Sequence, residues 1–130
     1  MNLLDENIRK DQEDLLRTWR VKVRRLSREV ADPGIQDSDI LTLLHQLKRS
    51  TFFTHDEDFW KRRLAHKGYC LVWLNVHDGE AALFIRRFLR HPRFSTQVQR
   101  MGKVVRIQPT ALRYWEFAKS TQVLLSWEGS

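Results

Sequence analysis

The chain has 130 residues, 42% of them hydrophobic and 30% charged, which is the composition of one globular domain rather than of a disordered chain. No apolar run approaches the roughly 20 residues of a membrane span, and the start of the chain lacks the apolar segment of a signal peptide. The single cysteine, Cys70, excludes an internal disulfide and a zinc site built from thiolates, so we expect a cytoplasmic protein with no membrane partner.

The formal net charge of +7 is concentrated in the second half of the chain. Residues 1–58 contain ten basic and twelve acidic residues, whereas residues 59–130 contain thirteen basic and four acidic ones. A basic surface attracts polyanions by Coulomb forces and by releasing counterions from phosphates. The charge therefore favours a nucleic-acid partner, although solubility alone explains it equally well.

The first half of the chain is predicted to alternate short strands with amphipathic helices. Asp5 or Asn7 can cap the first helix, and Asp37 to Asp39 can cap the second. Asp32-Pro33-Gly34 is a turn signal between them. The predicted segments are a strand at 1–4, a helix at 8–19, a strand at 20–26, a helix at 37–47 and a strand at 51–54.

The second half continues the alternation and ends in a hairpin. The predicted segments are a helix at 59–65, a strand at 69–76, a helix at 81–90 and hairpin strands at 104–107 and 111–115, with no clear pattern in the tail. Strands that alternate with helices favour βαβ units around a parallel sheet. We therefore predict an α/β fold, a three-layer α/β/α sandwich with a mainly parallel central sheet. It forms a single domain over 1–130, with a core at about 1–90 and the hairpin and tail at about 95–130.

Acidic residues follow two of the predicted strands. Asp5 comes directly after the first strand, and Asp56 and Asp58 follow the third. Ligand sites in an open parallel sheet form at the carboxyl ends of the strands, so these carboxylates would converge if the two strands are neighbours. Mg²⁺ or Mn²⁺ relieves the repulsion among clustered carboxylates, activates a water and neutralises charge on a phosphodiester. The pattern favours hydrolysis of nucleic acid, whereas capping of turns by aspartate is the alternative explanation for either strand end.

Three motifs in order resemble PIN-like ribonucleases, and most of all the short branch of VapC-type toxins. Leu3 to Asn7 is similar to the "LLDEN" strand that opens that branch, and Thr54 to Phe59 is similar to its "TxDxDF" strand end. Between them, Gly34 to Leu41 resembles the "G-x-x-D-x-x-I-L" start of a helix. The resemblance covers residues 1–76, and the hairpin over Lys103 to Trp115 resembles the final β-element of the family less specifically.

The resemblance implies a metal-dependent endoribonuclease with a quartet of acidic residues. Asp5 and Asp56 match ligands that bind Mg²⁺ or Mn²⁺ directly, and Asp58 matches an acid that orients a water or a second ion. Thr54 matches a hydroxyl that supports these ligands. The implied catalytic set is Asp5, Asp37, Asp56 and Asp58, of which Asp5, Asp56 and Asp58 hold the metal.

Three further positions near this site are the acid at the start of the second helix, His55 and Trp60. Many members of the family have Glu near the start of the second helix, where this chain offers Asp37 and Asp39; Asp37 is preferred because it lies three residues before Ile40. His55 alternates with its neighbours along the strand, so its ring is expected to face away from the acids. Trp60 is a candidate for stacking on an RNA base.

Basic residues beside the acids are candidates for substrate binding. Arg9 and Lys10 follow Asp5, and Arg62 and Arg63 follow the acidic end of the third strand. Either pair could clamp a phosphate, and an ordinary solvated face is the alternative for each.

The sequence thus predicts a ribonuclease dependent on Mg²⁺ or Mn²⁺ that resembles the toxin of a toxin–antitoxin pair, with RNA as substrate and a small antitoxin protein as partner. The alternative is a non-catalytic PIN-like module that binds nucleic acid or a protein without cutting. A receiver-like phosphate sensor is disfavoured, because residues 69–78 place no lysine at the end of their strand. The apolar stripe from Ala81 to Leu89 could serve a homodimer, and Arg86, Arg87 and Arg90 could recognise RNA or the antitoxin.

Overall fold

The computed structural model describes residues 1–26 and 37–127, without the side chains of residues 37 and 38. The predicted turn at Asp32-Pro33-Gly34 lies outside this range. The strands are β1 (Asn2–Leu4), β2 (Arg24–Arg25), β3 (Ser50–Thr54), β4 (Tyr69–Leu74), β5 (Lys103–Ile107), β6 (Ala111–Glu116) and β7 (Val123–Ser126). The helices are α1 (Lys10–Thr18), α2 (Asp37–Leu47), α3 (Ala81–Arg90) and α4 (Gln97–Arg100).

All seven strands join one sheet in the order β2-β1-β3-β4-β5-β6-β7. The strands from β2 to β5 pair in parallel, whereas β6 and β7 are antiparallel to their neighbours. A tight turn joins β5 to β6, and so short a connection can link only antiparallel strands. The predicted α/β fold with a mainly parallel sheet is confirmed, and the sheet is mixed at one edge.

Apolar clusters lie on both faces of the sheet because its central strands are buried on both sides. Phe53 and Val72 face a cluster that includes residues of α1 and α3. Phe52 and Leu71 point to the opposite side, into a cluster that includes residues of α2. This alternation follows from the two-residue period of a strand.

The apolar stripe of α3 faces the first of these clusters. Ala81, Phe84, Ile85 and Phe88 are all buried there. The stripe is therefore occupied by the core of this chain rather than free for a second copy. No helix within the described residues has the length and apolarity needed to cross a membrane.

Several local predictions differ from the structure. The strand predicted over 20–26 shortens to the two residues of β2. The helix predicted over 59–65 is replaced by two short 3₁₀ turns, Glu57–Phe59 and Arg62–Leu64. Two elements were not predicted. The helix α4 begins with a capping box between Thr96 and Gln99, and the tail forms the edge strand β7.

The predicted caps of α1 are used elsewhere. The helix begins after Arg9, whose side chain makes no capping hydrogen bond. Asp5 and Asn7 both hydrogen-bond with Thr54 on β3 instead. The residues that the sequence favours as caps therefore connect two strand ends.

Candidate active site

Asp5 occupies the carboxyl end of β1 and is only 7% exposed. Its backbone N–H donates to the carbonyl of Phe53 at 2.9 Å, which extends the pairing of β1 with β3 by one residue. Its carboxylate accepts from the N–H of Glu6 at 2.7 Å and from the hydroxyl of Thr54 at 2.6 Å. A buried aspartate is thus held at the junction of two parallel strands.

The Thr54 hydroxyl links Asp5 to the segment that carries Asp56. While it donates to Asp5, the same oxygen accepts from the backbone N–H of Asp56 at 2.9 Å and from the Asn7 amide at 3.3 Å. The Asn7 amide oxygen in turn accepts from the backbone N–H of His55 at 3.2 Å. The loops after β1 and β3 are therefore joined by side-chain hydrogen bonds at one edge of the sheet.

Electrostatics at this edge favour a positive ion. Burial raises the pKa of Asp5, the hydrogen bonds from Thr54 and from the N–H of Glu6 offset part of this effect, and the charges of Glu6 and Asp56 raise the pKa further. Glu6, the residue adjacent to Asp5, has a larger effect on this pKa than Asp56 has. A cation beside Asp5 would relieve both the burial of charge and the repulsion.

The donor atoms at this edge are oxygens, which suit Mg²⁺ or Mn²⁺. Mg²⁺ in proteins is commonly held by one or two carboxylates and keeps several waters. Asp5 and Asp56 supply two carboxylates, whereas the side-chain oxygens of Thr54 and Asn7 are engaged in the hydrogen bonds that hold the two loops. No group of three or more His, Cys, Asp or Glu side chains placed to hold a metal occurs within residues 1–26 and 39–127. A two-carboxylate site completed by water is the arrangement that fits this geometry.

The predicted acidic residues do not all converge. Asp56 is half-buried, and its carboxylate accepts from the backbone N–H of Asp58 at 2.9 Å, which caps the 3₁₀ turn that follows. The side chain of Asp58 is exposed beside this turn. Asp37 begins α2, but its side chain lies outside the described atoms, and Asp39 is exposed on the same helix. The choice between Asp37 and Asp39 stays a prediction.

Arg9 and Lys10 lie along an open groove next to Asn7. Both already have partners, since Arg9 donates to Asp11 at 2.7 and 3.0 Å and Lys10 pairs with Asp14. These pairs are exposed to solvent, where ion pairs are weak and can exchange a carboxylate for a phosphate.

Arg62 and Arg63 are exposed in the second 3₁₀ turn, after the acidic strand end. Arg62 donates to the backbone carbonyl of Ser120 at 3.4 Å. Their role in phosphate binding stays a prediction.

Sequence analysis missed the ion pair that fixes the loop after Asp5. Arg25 is buried and donates to the carbonyls of Glu6 and Ile8 at 3.2 and 2.6 Å, and its Nε donates to Glu13 at 2.7 Å. Burial acts to raise the pKa of Glu13, but hydrogen bonds from Arg25 and Arg17 outweigh burial and lower it. The one available signal was that Glu13 lies three residues before Leu16, on the apolar side of α1.

The ring of His55 contacts β4. Its Nδ1 lies 3.0 Å from the carbonyl oxygen of Leu74, and its Nε2 lies 3.9 Å from a carboxylate oxygen of Asp78. The His55 ring therefore contacts Leu74 and Asp78 rather than the Thr54 hydroxyl.

Comparisons of the chain with protein-family models, with curated proteins and with solved structures found no match. The resemblance to PIN-like ribonucleases therefore depends on the three sequence motifs alone.

Proposed function

We propose that the chain is a ribonuclease that depends on Mg²⁺ or Mn²⁺. The observation that carries the proposal is the buried Asp5 carboxylate, which Thr54 holds next to Asp56 at the carboxyl edge of β1 and β3. Sites of open parallel sheets form at this edge. A buried carboxylate near another negative charge costs free energy when no cation is bound. A bound cation offsets this cost.

The chain's own residues hold the ligands in place. Thr54 orients Asp5, Asn7 ties the two loops, and Arg25 fixes the backbone that follows Asp5. When bound by Asp5 and Asp56, Mg²⁺ or Mn²⁺ supplies a water of lowered pKa and offsets the charge of a phosphodiester. Hydrolysis of RNA adds one water across a P–O bond and yields a phosphate monoester and a hydroxyl. Asp58, which is exposed, and Asp37, whose side chain lies outside the described atoms, are included in the proposed acidic set on the resemblance alone.

The architecture in this proposal is a PIN-like three-layer α/β/α sandwich. The two apolar clusters support it, because α1 and α3 contribute to one cluster and α2 to the other. By the same resemblance, the biological role is that of a toxin in the cytoplasm, neutralised by a small antitoxin protein. Exposed Arg62 and Arg63, which follow the acidic strand end, are assigned to the RNA substrate.

The second candidate is a PIN-like module that binds nucleic acid or a protein without cutting. Two observations favour it. The Asp56 carboxylate already accepts a hydrogen bond from its own turn, and within residues 1–26 and 39–127 no third acid joins Asp5 and Asp56.

Cleavage of an end-labelled single-stranded RNA separates the two candidates. We expect cutting in Mn²⁺ or Mg²⁺, none in EDTA, and a loss of about 100-fold, or about 2.7 kcal/mol, in Asp56→Asn. Glu80→Gln is the matched control, because Glu80 is an exposed carboxylate just before α3 that belongs to neither the acidic set nor the ion pairs of the basic candidates, and it should cut like the parent.

Two results would count against the nuclease. RNA that is bound but uncut in every metal would favour the binding module. Equal cutting by Asp56→Asn and the parent would show that the acidic site is not responsible for the activity.

A further inference from the structure

One face of the sheet carries aromatic and basic side chains that the proposed chemistry does not use. We call it the indole–arginine face and define it by five residues, Trp60, Trp73, Trp115, Arg106 and Arg113. Trp73 of β4 pairs in register with Arg106 of β5, which pairs with Arg113 of β6. Residues paired across strands point to the same side of a sheet, so these three side chains form a row.

The row begins at the candidate active site. Thr54, whose hydroxyl holds Asp5, pairs with Trp73 on the neighbouring strand. With strands about 4.8 Å apart, Arg106 lies two strands, or about 10 Å, from Thr54, and Arg113 about 14 Å. A ligand that extends along the row would therefore end at the Asp5 carboxylate.

The aromatic side chains of this face pack against one another, with Trp73 buried and the other two partly exposed. The rings of Trp60 and Trp115 stack with centroids 4.2 Å apart, and Trp73 lies 6.5 Å from Trp60 on the side of the active site. Trp60 and Trp115 are partly exposed, and Leu124 on the neighbouring strand β7 is 58% exposed. Partly exposed indole rings offer a surface on which bases of any sequence can stack.

Within the described part of the chain, the arginines of this face have no acidic partners. Arg113 donates to the neutral amide of Gln122 at 3.1 Å, and none of the ion pairs of the described residues includes Arg106 or Arg113. The guanidinium of Arg106 lies 4.9 Å from the ring centre of Trp73, and the side chain is partly exposed. An exposed guanidinium N–H group can donate to a phosphate oxygen in a charge-assisted hydrogen bond.

We propose that the indole–arginine face binds single-stranded RNA, with bases stacked on the indoles and phosphates at Arg106 and Arg113, and leads the strand to Asp5. The proposal deepens the proposed function and rests on it for the choice of RNA. A single strand fits better than a duplex, because bases in a duplex already stack on one another and present no free face.

Fluorescence anisotropy with a short labelled RNA, in EDTA so that no cleavage occurs, tests this proposal. We expect Trp115→Leu to weaken binding by about 5- to 100-fold, and Trp115→Phe, which keeps an aromatic ring, to restore most of it. Arg113→Gln should lower the slope of log Kd against log salt by about 0.7. Arg24→Gln removes the same charge from exposed Arg24 on β2, at the other end of the strand order, and should leave that slope unchanged.

Several outcomes would overturn the proposal. They are unchanged binding in both Trp115→Leu and Arg113→Gln, an equal effect of Arg24→Gln, and equally tight binding of a duplex or of poly-glutamate. Trp60→Leu provides a second aromatic variant if Trp115→Leu melts at a lower temperature than the parent.

The proposed binding surface and the proposed nuclease can be rejected separately. An RNA that binds through this face but is never cut would reject the proposed nuclease and keep the binding surface. Normal cutting with parent-like binding in Trp115→Leu and Arg113→Gln would reject the surface alone.

Discussion

The Thr54 hydroxyl makes three hydrogen bonds through one oxygen atom, to Asp5, to the N–H of Asp56 and to Asn7. Each partner belongs to a loop that follows a strand, so a single side chain sets the spacing of both loops. If Asp5 and Asp56 bind a cation as proposed, side chains held in this way would need little reorganisation on binding.

Asp5 makes stability depend on pH with a definite sign. Because burial raises its pKa, the folded state binds this proton more tightly than the unfolded state does. Its contribution to the free energy of unfolding therefore falls as pH rises from the ordinary value of 3.8 to the raised one, and is constant above it. Asp5→Asn removes this dependence. The free energy of unfolding of the variant minus that of the parent should rise with pH through this window and then level off.

Urea unfolding of both proteins from about pH 3.5 to about pH 8 measures this difference. A difference that stays flat over the whole range would mean that the pKa of Asp5 is not raised in the folded protein.

At the scale of elements, the ion pair between Arg25 and Glu13 joins β2, α1 and the loop after β1. Both side chains are buried, at 8% and 3% exposure, and Arg25 also donates to backbone carbonyls of that loop. The pair therefore positions the segment that carries Asp5.

Arg25→Met should lower the free energy of unfolding by about 1 to 3 kcal/mol, because the carbonyls of Glu6 and Ile8 lose a buried donor while Glu13 keeps its ion pair with Arg17. Arg24→Met is the matched control, since Arg24 is the exposed neighbour on the same strand, and it should change stability by about 0.5 kcal/mol or less. Chemical denaturation of both variants measures the two effects. Equal stability of Arg25→Met and the parent would contradict a structural role for the pair.

The elements that the sequence predicted well are those with long apolar patterns. The helices at 37–47 and 81–90 and the hairpin strands match α2, α3, β5 and β6 closely, because tertiary packing and local pattern agree there. The short elements were missed or changed in type. Residues 59–65 show helical spacing, yet the Asp56 cap and the stacking of Trp60 on Trp115 hold them in 3₁₀ turns.

The candidate site was predictable only in part. Asp5, Thr54 and Asp56 follow strands in the sequence, so the rule that parallel strands end at one edge brings them together. Asn7 contacts Thr54, which is 47 residues away along the chain, and Arg25 contacts Glu13, which is 12 residues away. No local sequence pattern encodes such contacts. Trp115 and Arg113 face Trp60 and Arg106 only because β6 pairs with β5 in one particular register.

At the scale of the whole molecule, the fold places basic residues from the second half of the chain beside acidic residues from the first half. The basic second half of the chain contributes Arg106 and Arg113, and the acidic first half contributes Asp5 and Asp56. The continuous sheet places both halves side by side, with Thr54 and Trp73 at the boundary. An anionic substrate would be attracted by the basic part, while a cation held by the acids offsets its charge.

Calorimetric titration of Mn²⁺ into the purified protein tests the central claim most directly, because it requires no knowledge of the RNA. We expect saturable binding by the parent, binding about tenfold or more weaker in Asp5→Asn, and parent-like binding in the exposed control Asp14→Asn. No binding by the parent, or equal binding by Asp5→Asn, would contradict the assignment of a metal site to Asp5 and Asp56.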